Sequence, residues 1–190
     1  MNTQHKYAKI LAFVGLTGSG KTTAVEYFTE KGFPKVYFGG IILEAMKDAG
    51  IEITPDNERV FREEFRKKHG KDAVANKIVG QIRNLIDAGQ YHIIADGIYT
   101  WSEYKVIKHA FPGELTVVAI VTPKRLRYRR LAERAVRPLT EEQARERDWS
   151  EIENLEKGGP IAIADYYVVN NTTEEDFYEQ LSDIARDIEF

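Results

Sequence analysis

Apolar residues along this chain fall into short dense runs separated by longer stretches of mixed character. Ile10-Leu11-Ala12-Phe13-Val14 is an unbroken apolar run that stops at Gly15, the pattern of a parallel strand covered on both faces. Helical spacing follows from Gly20 to about Lys31, with Gly32 closing it. Val36-Tyr37-Phe38 reads as a short second strand, and residues 40–49, 56–69 and 71–88 each carry helical spacing, interrupted at 50–55, at Gly70 and at Gly89. Ile93-Ile94-Ala95 predicts a third strand ending at Asp96-Gly97, and residues 116–121 and 166–169 predict a fourth and a fifth. Between and after them the spacing predicts helices near 102–110, 123–135, 140–157 and 173–188.

Strands alternating with helices predict an α/β fold of three layers, with a mostly parallel five-stranded sheet and right-handed crossovers. Three helices in a row between the second and third strands predict a helical insertion at about 39–90, on one sheet edge. No repeat, low-complexity tract or linker divides the 190 residues, so one domain is expected. Doubly wound sheets bind ligands beyond the carboxyl ends of their strands. Gly15, Asp96, Thr122, Asn170 and Asn171 all fall at such ends.

The first of these ends carries the most specific signal. Gly15-Leu16-Thr17-Gly18-Ser19-Gly20-Lys21-Thr22 fits G-x-x-x-x-G-K-[ST] without a mismatch, between an apolar strand and a helix, with Thr23 next in the first helical turn. Phosphate oxygens need several backbone N–H groups at once, which requires a tight loop with positive φ; Gly15, Gly18 and Gly20 supply it. The helix start adds unpaired N–H groups and its dipole, Lys21 a mobile charge for the β- and γ-phosphates, and Thr22 a hydroxyl for Mg²⁺. Asp96 suits the strand-end carboxylate that orients the magnesium in such proteins, although an aspartate before glycine also suits a turn or cap. These pieces predict binding of ATP with Mg²⁺.

A basic stretch follows: Arg125, Arg127, Arg129, Arg130, Arg134 and Arg137, with Arg145 and Arg147 beyond. Arginines that close over a transferring phosphoryl group stabilise its spreading charge. Arg130, Arg134 and Arg137 are spaced i, i+4, i+7, so one helical face can present all three. The same phase puts Arg127 on the exposed side, and most of the remaining arginines, laced with Glu133, Glu141, Glu142 and Glu146, read as a solvated face.

Composition narrows the classes further. There is no cysteine, which excludes disulfides, thiol catalysis and cysteine-ligated zinc. His5, His69, His92 and His109 lack metal-ligand spacing. A net charge of −3 argues against a nucleic-acid partner. No apolar run approaches the roughly 18 residues of a membrane span and no signal-peptide pattern appears, so a soluble, cytoplasmic protein without a membrane partner is expected.

With these pieces in place, the chain resembles the P-loop nucleoside/nucleotide kinase superfamily and, more narrowly, the dephospho-CoA kinase-related proteins of archaea. The likeness covers roughly 8–185. It rests on the P-loop, on Thr54-Pro55-Asp56-Asn57, on Phe65-Arg66 leading to Gly70-Lys71-Asp72-Ala73-Val74-Ala75, and on Asp96-Gly97. It continues through Arg130-Leu131 with Arg134, Glu146-Arg147-Asp148, and Ile163-Ala164-Asp165-Tyr166 with Val169-Asn170. The resemblance implies an ATP-dependent kinase of the nucleotide or dephospho-CoA type, with an acceptor-binding insertion near 39–90 and a lid near 125–150. It implies Lys21, Asp96, Arg134 and Arg147 as catalytic residues, the two arginines on the ATP phosphates, and residues 170–172 beside the adenine. Two departures stand out. Gly40 and Leu43 occupy places where the relatives carry an aspartate and an arginine, and Ile98-Tyr99-Thr100 stands where they carry an arginine. Arg62 or Arg66 can replace those acceptor-holding charges, and Tyr99, Trp101 and Tyr104 can stack on a planar group or simply pack.

A P-loop switch or motor acting on protein or nucleic acid is the main rival, and an ATP-binding protein without turnover the third possibility. No Asn-Lys-x-Asp segment reads a guanine, and Asp96 is followed by Gly97 rather than by the glutamate of a motor ATPase. The acceptor and the oligomeric state stay open at this level.

Overall fold

The computed structural model describes residues 8–190. Five parallel strands form one sheet: β1 (Lys9–Val14), β2 (Lys35–Tyr37), β3 (His92–Asp96), β4 (Leu115–Val121) and β5 (Tyr166–Val169), in the order β2-β3-β1-β4-β5. The central strand β1 pairs with β3 (Ile10 opposite Ile93) and with β4 (Ala12 opposite Val117). Its unbroken apolar run follows from its place, because alternate side chains enter two separate cores. Ile10, Ala12 and Val14 face one core, built with Ile41 and Met46 of α2 (Phe38–Asp48), Ile78 and Ile82 of α4 (Ala73–Asp87) and Ile107 of α5 (Trp101–Ala110). Leu11 and Phe13 face the other, with Val25 and Phe28 of α1 (Lys21–Thr29) and Phe177 and Leu181 of α9 (Glu174–Asp187). The three-layer α/β architecture expected from the pattern is therefore the one observed.

The expected helices at 40–49 and 56–69 correspond to α2 and α3 (Pro55–His69). Phe38, read as strand, instead opens α2: the β2–β3 ladder ends at Tyr37 opposite Asp96, so Phe38 has no strand partner and turns into the core. Beyond β4, α6 (Lys124–Ala132) stops short of the expected residue 135, and the Leu139 N–H takes the Leu131 carbonyl at 3.1 Å. Next, α7 (Glu141–Glu153) starts at a capping box in which the Thr140 hydroxyl accepts from the Gln143 N–H and the Gln143 side chain accepts from the Thr140 N–H. It ends before 157, and a short helix α8 (Gly158–Ala162) follows that the spacing did not predict. Among the described residues, no helix is long and apolar enough to cross a membrane.

Candidate functional site

The loop joining β1 to α1 turns back over the helix start, with Gly15, Gly18 and Gly20 at φ 148°, 85° and 108°. Gly20 is constrained twice, since the Asn170 amide nitrogen occupies the space its Cβ would need. Asn170, at the end of β5, donates from that amide to the Ser19 carbonyl at 2.8 Å and accepts from the Arg130 guanidinium at 3.1 Å. Thr122, at the end of β4, bridges the Ser19 and Asn170 carbonyls at 3.0 and 3.1 Å. The strand ends thus brace the loop from below.

Lys21 folds back on this loop, its ammonium donating to the Gly15 and Leu16 carbonyls at 2.8 and 3.0 Å. Burial, reinforced by the positive charge of Lys157 and of Arg134, lowers Lys21 to about 7 against the pull of Glu151 and Asp96. Ser19 Oγ is buried without a hydrogen-bond partner among the described residues. Both features suit an anion: one supplies an unused hydroxyl, the other a charge that negative oxygens would stabilise. Asp96 ends β3, and burial raises its carboxyl above the usual range despite the nearby Lys35 and Lys21. A partly buried carboxylate and the exposed Thr22 hydroxyl fit Mg²⁺, which keeps waters and phosphate oxygens in its octahedron. No cluster of three or more acidic or histidine side chains exists among the described residues, and such a metal does not need one.

One buried charge at the loop was not singled out by the sequence. Glu151 of α7 is buried, and its carboxylate accepts from the Thr17 N–H at 3.1 Å, from the Thr17 hydroxyl, and from Lys157 at 3.0 Å. Burial alone would raise its carboxyl. The Lys157 charge, the hydrogen bonds from Thr17 and Lys157, and Lys21 outweigh that and hold it at about 2. Arg147 reaches the same spot, its Nε 3.2 Å from the Thr17 hydroxyl and 3.4 Å from Glu151, with the side chain still half exposed.

Two expectations about the arginines are corrected. Arg127 is not on an exposed face: it is 5% exposed and forks onto both Asp148 oxygens at 2.7 and 2.6 Å, while also donating to the Thr17 carbonyl at 3.1 Å. Arg127 and Leu131, one turn apart, form the face of α6 that is turned inward. Nor do Arg130, Arg134 and Arg137 share a helical face, because α6 ends at Ala132 and the last two lie in the irregular segment after it. Arg134 is exposed, although close enough to Lys21 to depress its pKa.

Two cavities flank the loop. One, of about 300 Å³, is lined by Gly20, Thr23, Arg130, Asn170, Thr172 and Phe177. Asn171 is not part of that lining and is exposed. The other, of about 220 Å³, gathers Tyr37, Arg62, Arg66, Tyr99 and Arg137, with Glu151 in its wall. Arg62 is paired there with Glu58, and Arg66 with the buried Glu103 at 3.1 Å. Glu103 also accepts from the N–H groups of Tyr99 and Thr100, fixing the turn after β3. Gly97, at φ 98°, leaves room for the Tyr99 ring, which a Cβ would meet at 2.7 Å. Trp101 and Tyr104 stack on each other at 5.2 Å, outside this cavity, and serve packing.

Of the residues singled out from the sequence, the P-loop, Asp96, Arg134, Arg147, Arg62 and Tyr99 converge on one crevice, with Arg66 at its far wall. Arg127, Asp148, Glu151 and Lys157 complete it. The sequence predicts Arg127 on an exposed face and brings in Asp148 only through Glu146-Arg147-Asp148, while Glu151 and Lys157 are not singled out; the i, i+4 spacing of Arg147 and Glu151 is the available signal, and it resembles any surface ion pair.

Comparison with known proteins gives concordant likenesses. The AAA domain family pattern matches residues 11–151. A UPF0200 protein of Thermococcus gammatolerans is 35% identical over 182 residues, covering 94% of this chain and 95% of the relative. Among solved structures, a putative kinase from Chloroflexus aurantiacus superposes with a TM-score of 0.61 at 10% identity, covering 96% of this chain and 97% of the other. Dephospho-CoA kinase from Campylobacter jejuni gives 0.57 at 17% identity, with 94% and 96% covered. At such identities the shared feature is the P-loop kinase fold.

Proposed function

This chain belongs to the AAA domain family and to the UPF0200 proteins, and from that premise we propose that it is an ATP-dependent phosphotransferase acting on a small-molecule acceptor. The observation that carries the proposal is the pairing of a complete phosphate loop with a second cavity, joined through Glu151, which bonds Thr17 of the loop and lines that cavity. A switch or motor has no need of a small charged cavity beside its phosphate loop.

In this reading the N–H groups of the loop and the α1 N-terminus hold the ATP phosphates, and Lys21 leaves the Gly15 and Leu16 carbonyls to meet the β- and γ-oxygens. The cavity at Gly20, Thr23, Asn170 and Thr172 takes the adenosine end. Thr22 and Asp96 would hold Mg²⁺, which would supply charge neutralisation for the phosphates. The segment carrying α6 and α7 acts as a lid, with Arg134 and Arg147 stabilising charge on the transferring group. The γ-phosphorus–oxygen bond to ADP breaks as the acceptor oxygen bonds to phosphorus, and the acceptor proton leaves to solvent or a carboxylate. Closure excludes water, which would otherwise compete as acceptor. A cytoplasmic location belongs to this reading, supported by the dependence on ATP.

ADP release measured with and without a metabolite panel tests the proposal. Acceptor-dependent release that falls at least about a hundredfold in Lys21→Ala, the scale for removing one electrostatic stabiliser, supports it. Release stimulated by nucleic acid alone, or near-normal transfer by Lys21→Ala, refutes it.

A further inference from the structure

The 220 Å³ cavity has a charge balance and a size that narrow what it can hold. Three carboxylates line it, and each is taken by a neighbour: Glu58 by Arg62, Glu103 by Arg66, Glu151 by Lys157. Two further guanidiniums remain. Arg147 is directed to the phosphate loop through Thr17. Arg137 also lines the cavity and makes no hydrogen bond or ion pair among the described residues. Its backbone sits at φ 55°, one of three non-glycine residues in the left-handed region among the described residues. For an arginine that conformation is costly, and such outliers gather at ligand sites.

The rest of the lining is apolar (Phe38, Ile42, Val74 and Leu155) apart from two phenolic hydroxyls. The Tyr37 and Tyr99 rings fold back over Gly39 and Gly97, and both line the cavity. Neither phenolic oxygen has a hydrogen-bond partner among the described residues. The Lys157 ammonium lies 4.9 Å from the centre of the Tyr99 ring, so this part of the wall adjoins the charges around the phosphate loop. The cavity's 220 Å³ equals about seven water volumes. A nucleoside monophosphate, with base and sugar besides its phosphate, needs roughly 300 Å³ or more, the lower end of ordinary ligand pockets.

We propose that this cavity takes a small hydroxylated anion, a carboxylate or phosphate ester without a nucleobase, and that Arg137 holds its anionic oxygens. The inference deepens the phosphotransferase reading and rests on it for the fate of the ligand. A planar guanidinium offers two parallel N–H donors to either kind of oxyanion, while Tyr37 and Tyr99 suit the hydroxyls. Arg137 thereby replaces, from the segment after α6, the acceptor-side arginines missing at Leu43 and after Gly97.

Equilibrium binding of gluconate, ribose 5-phosphate and AMP, each with Mg²⁺ and a non-hydrolysable ATP analogue, tests this in wild type and in Arg137→Gly. Glycine suits the left-handed backbone, so the variant removes the guanidinium without adding strain. The expected result is binding of gluconate or ribose 5-phosphate in preference to AMP. Arg137→Gly should weaken it about tenfold or more, the loss of one bidentate charge-assisted contact, and Arg137→Lys should restore it in part. Affinity for the ATP analogue should stay within about threefold, because Arg137 lies in the other cavity. The small anion that binds identifies the anionic group. AMP binding tightest, neither small anion binding, or an unchanged Arg137→Gly would overturn the inference. A parallel ADP assay separates it from the reading beneath it. Small-anion binding without ADP release sinks the phosphotransferase alone, and ADP release with AMP as the preferred acceptor sinks the inference alone.

Discussion

Replacing Arg127 by alanine strips a buried carboxylate of its partner. Arg127 and Asp148 are 5% and 7% exposed, and two hydrogen bonds of 2.7 and 2.6 Å join them, so neither charge has much access to water. The Tyr128 hydroxyl at 3.1 Å is the only other donor to Asp148 among the described residues, and one neutral hydrogen bond cannot offset desolvation. Breaking a buried pair by removing one partner costs about 3–5 kcal/mol. For a chain of this length each kcal/mol lowers Tm by about 2–4 °C, so Arg127→Ala should lower it by about 6–20 °C. Because the same guanidinium ties the Thr17 carbonyl to α7, ATP affinity should fall as well. Thermal unfolding followed by circular dichroism measures the first effect. The control is the double variant Arg127→Met with Asp148→Leu, which replaces the pair by apolar side chains and should recover most of the loss. A single variant that melts within about 2 °C of wild type would refute the reasoning, as would a double variant no better than the single one.

Lys21, at about 7 when the loop is empty, should be raised by phosphate oxygens, since negative charge favours the ammonium. Mg-ATP binding near pH 7 should therefore take up protons, and affinity should fall as pH rises above 7, where the free protein must first gain a proton; calorimetry in buffers of different ionisation enthalpy reads this, and zero uptake contradicts it. Glu151→Gln removes a charge that competes with phosphate for Thr17 and Lys21 and leaves buried Lys157 without its counter-charge. Tighter binding of an ATP analogue together with a lower Tm is expected, and weaker binding would show that Glu151 supports the nucleotide instead. Arg134→Ala and Arg147→Ala should depress kcat strongly and change ATP affinity modestly, with lysine rescuing only in part. If steady-state kinetics showed neither arginine to matter, the lid would be misplaced.

What could be read from the sequence is what local rules govern. A run such as Ile10–Val14 has to be a strand covered on both faces, a glycine-spaced loop followed by Lys21 has to turn into a helix, and five such strands separated by helices have few ways to assemble. Those rules placed Gly15, Asp96, Thr122 and Asn170 at one end of the sheet, where the structure has them. They did not decide which charges on α6 and α7 are buried. α6 is dense in lysine and arginine and α7 alternates arginine with acid, and to a helical period both patterns read as solvated on most sides. Burial there depends on how α7 crosses the phosphate loop, a contact between residues 134 positions apart in the case of Glu151 and Thr17. The end of α6 is of the same kind: the spacing carries the helix to about 135, yet the chain leaves it at Ala132 and Arg137 turns left-handed beside the cavity. Local periodicity is a property of neighbours along the chain, whereas desolvation of a charge is a property of whatever packs over it, and only the tertiary structure supplies that.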